Sequence, residues 1–259
     1  CYLNSSELDN AIDCLKRSIN IKKDLGNTIG MGTSLGNLSN AYRRIGDYSK
    51  AISLMEEFLD ILKSNKMYFH IGRALMIHAN LMIYIGNYTI ARKNYMESIE
   101  LCKQFDDIGS QGLINRHLGL LEMNLGNHNK AIEYLTKAIQ MHKKAKHLIA
   151  IEPTTLFLGQ AYLHKNDLDK ALELVEKAVL LTDRRRHTNQ AQNLDEYWTL
   201  PSRCVKLLIL AKMKKVKIDE IDKIYNEINT LHVEKHKARE LWWLAQAYFI
   251  IGKKNRALE

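Results

Sequence analysis

Apolar residues recur at helical spacing along this chain. Ile52, Met55, Leu59 and Leu62 stand three and four residues apart, which predicts an amphipathic helix with one face toward a core. A second helical pattern runs just before it, through Leu35, Leu38, Tyr42 and Ile45, and again through Leu118, Leu121 and Leu125. Turn residues separate the two kinds of segment. The phrase "GDYSKAISL" from Gly46 returns as "GNYTIARKN" from Gly86 and "GNHNKAIEY" from Gly126.

The pattern is periodic. Ala11, Ala51, Ala91, Ala131 and Ala171 are 40 residues apart, each preceded five residues earlier by Ser6, Gly46, Gly86, Gly126 or Asn166, read as turn positions. Ser39, Ala79, Gly119 and Gly159 form a second small-residue column, in the helix before each turn. Small side chains in both columns let two helix backbones approach closely, so each unit is predicted to be an antiparallel pair, helix A then helix B. One such pair cannot bury both of its apolar faces, and the units are therefore expected to stack.

"LGNLSNAYRRIGDYSKAI" from Leu35, "FLGQAYLHKNDLDKAL" from Phe157 and "LWWLAQAYFIIGKKNRAL" from Leu241 carry a family pattern. A large apolar residue, Leu-Gly, a helix A tyrosine, a Gly-turn and a helix B alanine follow in order. In this the chain resembles the tetratricopeptide repeat family over essentially its whole length. The resemblance implies an all-α fold, an α-solenoid of antiparallel helix pairs wound as a right-handed superhelix with helix A on the concave wall. The expected units are 1–25 (partial), 26–65, 66–105, 106–145, 146–183, 184–235 (irregular) and 236–259 (partial). The pattern departs at Phe58, where a small residue is usual, at Glu122, which replaces the helix A tyrosine, and in lacking a closing proline. The 40-residue spacing exceeds the standard ~34, and longer helices are the simplest cause. Such extended repeats resemble those of scaffold proteins and of sensor arms in multidomain signalling proteins.

The phase breaks after Ala171. If "KVKIDEIDKI" from Lys215 is the next turn and helix B, Ile221 takes the alanine column and Ala257 follows it. Residues 184–200 then hold about ten extra residues, of the kind repeat arrays place in loops.

Positions opposite the core stripe of helix A define the predicted wall. They are Thr33, Gly36, Asn37, Asn40, Arg43 and Arg44 in the first full unit, then Arg73, Met76, Ile77, Asn80, Ile83 and Tyr84. Leu113, Arg116, His117, Leu120, Met123 and Asn124 follow, then Pro153, Leu156, Phe157, Gln160, Leu163 and His164. None is Asp or Glu, so the wall is read as basic and partly apolar. In tetratricopeptide proteins that clamp extended peptides, an amide column bonds the peptide backbone while basic neighbours hold carboxylates. The resemblance places that column at Asn40, Asn80 and Gln160, with Leu120 the exception. The expected peptide contacts are Asn37, Asn40, Arg43, Arg44, Arg73, Asn80, Tyr84, Arg116, His117, Asn124, Gln160 and His164. An amide both donates and accepts, which suits backbone binding, and arginines add bidentate bonds to carboxylates.

Charge and composition sharpen this only a little. The net charge is +9, and residues 183–259 hold 16 Lys/Arg against 10 Asp/Glu, which suits an acidic partner. Cys1, Cys14, Cys102 and Cys204 lie far apart with no CxxC pair, so a reducing, cytoplasmic setting is expected. No apolar run reaches the ~18 residues of a membrane span, and no signal-peptide pattern opens the chain. Beginning at a cysteine and stopping early in a new helix, it reads as a fragment of a larger protein. His232 and His236 share a helix face around Glu234, but the order is not H-E-x-x-H and no third ligand is evident, so no metal is expected. Arg184, Arg185 and Arg186 fit the dipole of a helix C-terminus as well as a phosphate grip. Of Trp198, Trp242 and Trp243, one of the adjacent pair belongs to the core. No phosphate loop or catalytic grouping is present, so neither catalysis nor a cofactor is expected.

The leading expectation is a protein-interaction scaffold that binds an acidic peptide segment along helix A. The competing expectation is a sensor or regulatory arm of a larger effector, such as a nucleotide-switch (STAND-type) ATPase, a caspase-like protease or a transcription regulator. Nucleic-acid binding ranks behind both, since no recognised module accompanies the charge. A homodimer through the terminal repeats is a further option.

Overall fold

A computed structural model describes residues 5–186, 195–230 and 234–258. The described residues form 13 helices and no strand. In order they are α1 (Ser5–Asp24), α2 (Thr28–Ile45), α3 (Tyr48–Ser64), α4 (Tyr68–Tyr84), α5 (Tyr88–Gln104), α6 (Ile108–Asn124) and α7 (His128–Lys144). Then come α8 (Leu148–His164), α9 (Leu168–Arg186), α10 (Asp195–Lys212), α11 (Ile218–Thr230), α12 (Glu234–Ile250) and α13 (Lys254–Leu258). The fold is all-α, and consecutive helices pair antiparallel. The chain divides into two compact units, residues 1–121 and 122–259.

The period comes from the turns. Gly26, Gly46, Lys66, Gly86, Asp106, Gly126, Lys146 and Asn166 all adopt positive φ, one every 20 residues. Helices α3 to α8 are 17 residues long, and three-residue turns complete the interval. At each turn the last carbonyls of the helix are capped in the Schellman manner, as where Gly46 N–H bonds Arg43 O (3.2 Å) and Asp47 N–H bonds Tyr42 O (3.0 Å). The next helix begins on an Asx cap: Asn27, Asp47 and Asn87 accept from the backbone N–H of Gly30, Lys50 and Ile90. Turns within an A–B pair use glycine at Gly46, Gly86 and Gly126, which accepts the left-handed conformation without strain. Ser6 does not mark such a turn; it lies inside the first turn of α1.

Both small columns are buried. Ala51, Ala91, Ala131 and Ala171 are 0% exposed, as is Ile221, which replaces alanine on α11 after the phase break. Ser39 donates to Ala51 O at 2.8 Å, and a Cβ on Gly159 would meet Val175 Cγ2 at 2.7 Å. Phe58 is accommodated by a compensating glycine: a Cβ on Gly32 would lie 1.8 Å from its ring. Glu122 is buried and accepts from Asn127 Nδ2 at 2.9 Å, so a polar pair replaces the helix A tyrosine. Ile45 and Leu125 lie outside the core, half-exposed just before the left-handed glycines, because the chain turns away before their neighbours can cover them.

In residues 1–121 one core joins α3 and α4 through Met55, Leu59, Leu62, Ile71 and Leu75. A smaller one joins α1 and α2 through Leu8, Ile12, Leu38 and Ala41. In residues 122–259 the main core runs from Leu156 through Val175, Leu208, Ile221 and Tyr248. The ten-residue excess falls between α9 and α10. It extends α9 to 19 residues, and the stretch 187–194 lies outside the described residues.

Candidate functional site

In residues 1–121, α2, α4 and α6 each carry polar side chains on the face turned away from their cores. On α2, Asn37 and Asn40 are exposed and Arg43 half-buried. Arg43 donates through Nε and Nη2 to Asn40 Oδ1 (3.1 and 2.7 Å) and through Nη1 to the hydroxyl of Tyr84 on α4 (3.0 Å). The Tyr84 ring stacks on Tyr48 of α3, centroids 5.4 Å apart and 12° from parallel, and is 53% exposed. Arg44 is half-buried and has a partner of its own.

On α4, Arg73 pairs with Asp107 (3.0 Å) and lies over the Phe69 ring, 4.8 Å from its centroid. Burial would push the Asp107 carboxyl up, but hydrogen bonds from Ser110 and from Arg73 outweigh it and hold the group below its ordinary value. This carboxylate comes from the turn before α6, not from helix A, so the acid-free pattern of helix A leaves it out. Asn80 accepts at Oδ1 from the hydroxyl of Tyr95 on α5, whose proton is held tightly because burial raises its pKa. The Tyr95 ring stacks on His117 of α6 at 5.9 Å and 6°. Burial, reinforced by the neighbouring Arg116, pulls His117 down to about 3, so the ring is neutral at physiological pH. Arg116 is half-buried, and burial alone lowers its pKa.

Two consequences follow for the amides. Asn40 and Asn80 spend their carbonyl oxygens on Arg43 and Tyr95, so what remains outward is the NH₂ group. Together with the guanidinium groups this makes a surface of hydrogen-bond donors.

Residues 122–259 use the same register differently. Asn124 is exposed at the end of α6, while Gln160 on α8 is only 9% exposed. Pro153, Leu156 and Leu163, expected on the wall, are buried instead, because α10 packs on α8 as well as on α9. His164 stacks on His128 at 5.2 Å and 8°; burial, then His128 and Lys212, lowers its pKa. A cavity of about 630 Å³ opens along α12, lined by Lys212, Trp242, Ala245, Gln246, Phe249, Ile250, Lys254 and Ala257. Trp242 is 55% exposed, whereas Trp243 is buried in the core.

Gln246 stands six residues before the left-handed Gly252, as Asn40, Asn80 and Gln160 stand six before Gly46, Gly86 and Asn166. It resumes the amide column past the irregular unit, where Leu208 holds the place and is buried. Counting back from Gly252 would have found Gln246 in the sequence. His232 and the side chains of Trp198, His236 and Arg184–Arg186 lie outside what is described. Among the described residues no three His, Cys, Asp or Glu side chains group as for a metal ion. No helix there is long and apolar enough to cross a membrane.

A family model described as tetratricopeptide repeat matches residues 1–64 and 110–181. Response regulator aspartate phosphatase A of Bacillus subtilis (strain 168) is 23% identical over 171 residues, 66% of this chain and 44% of the phosphatase. The chain thus spans less than half the length of that relative. The apo form of RapI superposes with a TM-score of 0.77 at 17% identity, covering 97% of this chain and 88% of RapI. A Rap protein complexed with Competence and Sporulation Factor superposes with a TM-score of 0.73 at 14% identity, covering 97% and 68%. At these identities the two structures bear on the fold.

Proposed function

This chain belongs to the tetratricopeptide repeat family, and from that premise we propose that it is a non-catalytic scaffold that binds an acidic peptide segment along its helix A faces. The observation that carries this reading is the donor surface of residues 1–121. Asn40 and Asn80 offer NH₂ groups, Arg116 offers a guanidinium, and the Asp107 carboxylate is taken up by Arg73 and Ser110. A surface that mainly donates selects for acceptors, namely peptide carbonyls and carboxylates. Support also comes from the Rap protein of the same fold, which was solved complexed with a factor. The phosphatase activity in the name of the Bacillus subtilis relative is not carried over.

The test is Asn40→Asp with Asn80→Asp. Each aspartate keeps an acceptor for Arg43 or Tyr95 but replaces the outward donor with negative charge. Dodecapeptides selected on the wild-type chain from a random display library are expected to lose at least about tenfold in affinity, read by fluorescence anisotropy. Unchanged affinity would move the binding surface elsewhere.

A further inference from the structure

Between α7 and α8 every residue from Lys143 to Ile149 is exposed, and burial resumes only at Ala150. Leu148 is 72% exposed and Ile149 62%. Two repeats earlier the place of Ile149 is held by Phe69, which packs against the Phe105 ring (5.8 Å) and lies under the Arg73 guanidinium (4.8 Å). Ile149 is far less covered. Around these two aliphatic side chains stand Lys143, Lys144 and Lys146, none of which forms an ion pair among the described residues. Residues 134–151 contain no Asp or Glu.

The turn that presents this set is well fixed. Lys146 N–H bonds Lys143 O (3.1 Å) and His147 N–H bonds His142 O (2.8 Å), while the His147 ring stands edge-on to the buried His142 ring at 5.6 Å. Lys143 and Lys144 suit the dipole at the C-terminal end of α7. The dipole asks for nothing at Lys146, which lies past the helix at φ 54°, a left-handed place that Gly26 fills after α1 without strain. Nor does it call for two aliphatic side chains pointing into water.

Lysines around protruding aliphatics match the boundary of an anionic lipid bilayer. There the ammonium groups meet headgroup phosphates and carboxylates while their stems and the aliphatic tips lie against acyl chains. Protein interfaces are depleted in lysine and enriched in Tyr, Trp and Arg, and residues 143–149 hold none of those three. Nucleic acid would give the aliphatic tips no apolar layer to enter.

We propose that the α7–α8 turn is a membrane-surface contact for anionic lipid, with Leu148 and Ile149 entering the headgroup boundary and Lys143, Lys144 and Lys146 supplying the charge. With two aliphatic tips and three lysines the contact is reversible.

The test is co-sedimentation of the full chain with phosphatidylcholine vesicles, with and without about one quarter phosphatidylserine. The wild-type chain is expected to pellet with the phosphatidylserine vesicles alone and to be released as salt rises from about 0.1 M to about 0.5 M. Lys143→Gln with Lys146→Gln weakens binding about 25-fold, near fivefold per lysine, and Leu148→Ser with Ile149→Ser weakens it at least about tenfold. Lys50→Gln with Lys170→Gln removes the same charge from lysines paired with Asp47 and Asp167, and leaves binding unchanged. All of these residues are exposed, and thermal unfolding checks that each variant folds.

Failure of the wild-type chain to pellet with either vesicle overturns the proposal, as does equal loss in the Lys50/Lys170 variant, which would make the attraction one of net charge. Undiminished binding of the Leu148/Ile149 variant overturns it too, since nothing then enters the bilayer. Binding of soluble polyglutamate through Lys143 and Lys146 without vesicle binding would assign the turn to an acidic macromolecule instead.

Discussion

Residues 1–121 and 122–259 repeat one backbone plan and present different surfaces on it. In the first unit the place six residues before the left-handed turn glycine holds Asn40 and Asn80, each fixed by a hydrogen bond. On α12 the place six before Gly252 is again an amide, Gln246, but its neighbours are Trp242 and Phe249, exposed and lining a cavity. The columns that fix how close two helices lie, Ala51 to Ala171 and Ser39 to Gly159, hardly vary. The columns that face outward vary freely, because changing them leaves the helix contacts intact. Within one array, then, spacing is a property of the fold and wall chemistry a property of each repeat.

The difference can be tested first through pH. His117 and His164 both have pKa values lowered by burial, His117 to about 3. Since the unfolded chain takes up the proton first, stability is complete above the ordinary histidine value of 6.5 and is lost as pH falls from there toward 3. The slope per group reaches about 1.4 kcal/mol per pH unit. His117→Phe, which keeps the stack on Tyr95, is expected to flatten urea unfolding measured between pH 6.5 and 4 more than His164→Phe does. Equal effects would erase the contrast between the units.

A smaller effect concerns packing on one helix. Gly32→Ala drives a Cβ into the Phe58 ring and is expected to cost about 1–3 kcal/mol. Gly36→Ala, four residues on, meets nothing within 4 Å and is expected to gain about 0.5–1 kcal/mol through helix propensity. Phe58→Leu should rescue Gly32→Ala, and a double-mutant cycle in thermal unfolding measures the coupling. Additivity would mean that Gly32 does not compensate for Phe58.

The smallest effect is at the turns. Lys66 adopts φ 52° where the within-pair turns use glycine, so Lys66→Gly is expected to raise stability by up to about 1 kcal/mol in chemical denaturation. Gly46→Lys at the matching turn should lower it by a similar amount. A loss on Lys66→Gly would mean that the lysine side chain contributes more than the left-handed backbone costs.

The helix pairs, their period and the buried columns were legible because close packing demands small residues and left-handed turns at fixed intervals, and both leave marks in the residue types. Phe58 looked like a departure because its compensation, Gly32, sits on the neighbouring helix with no sequence rule to link them. Asp107 escaped for a similar reason: it comes from a turn, and only the packed chain brings it to Arg73. Gln246 was readable from Gly252 but was masked by the phase break at residues 184–200.

The sequence by itself determined an all-helical array of antiparallel pairs with a 40-residue repeat, because helix periodicity and turn chemistry are local and each copy restates them. Only the tertiary structure decided which arginines are spoken for and which amide oxygens are used up. Those facts depend on side chains from different helices meeting across a few ångströms, and hydrogen bonds and desolvation respond to that distance, not to position along the chain.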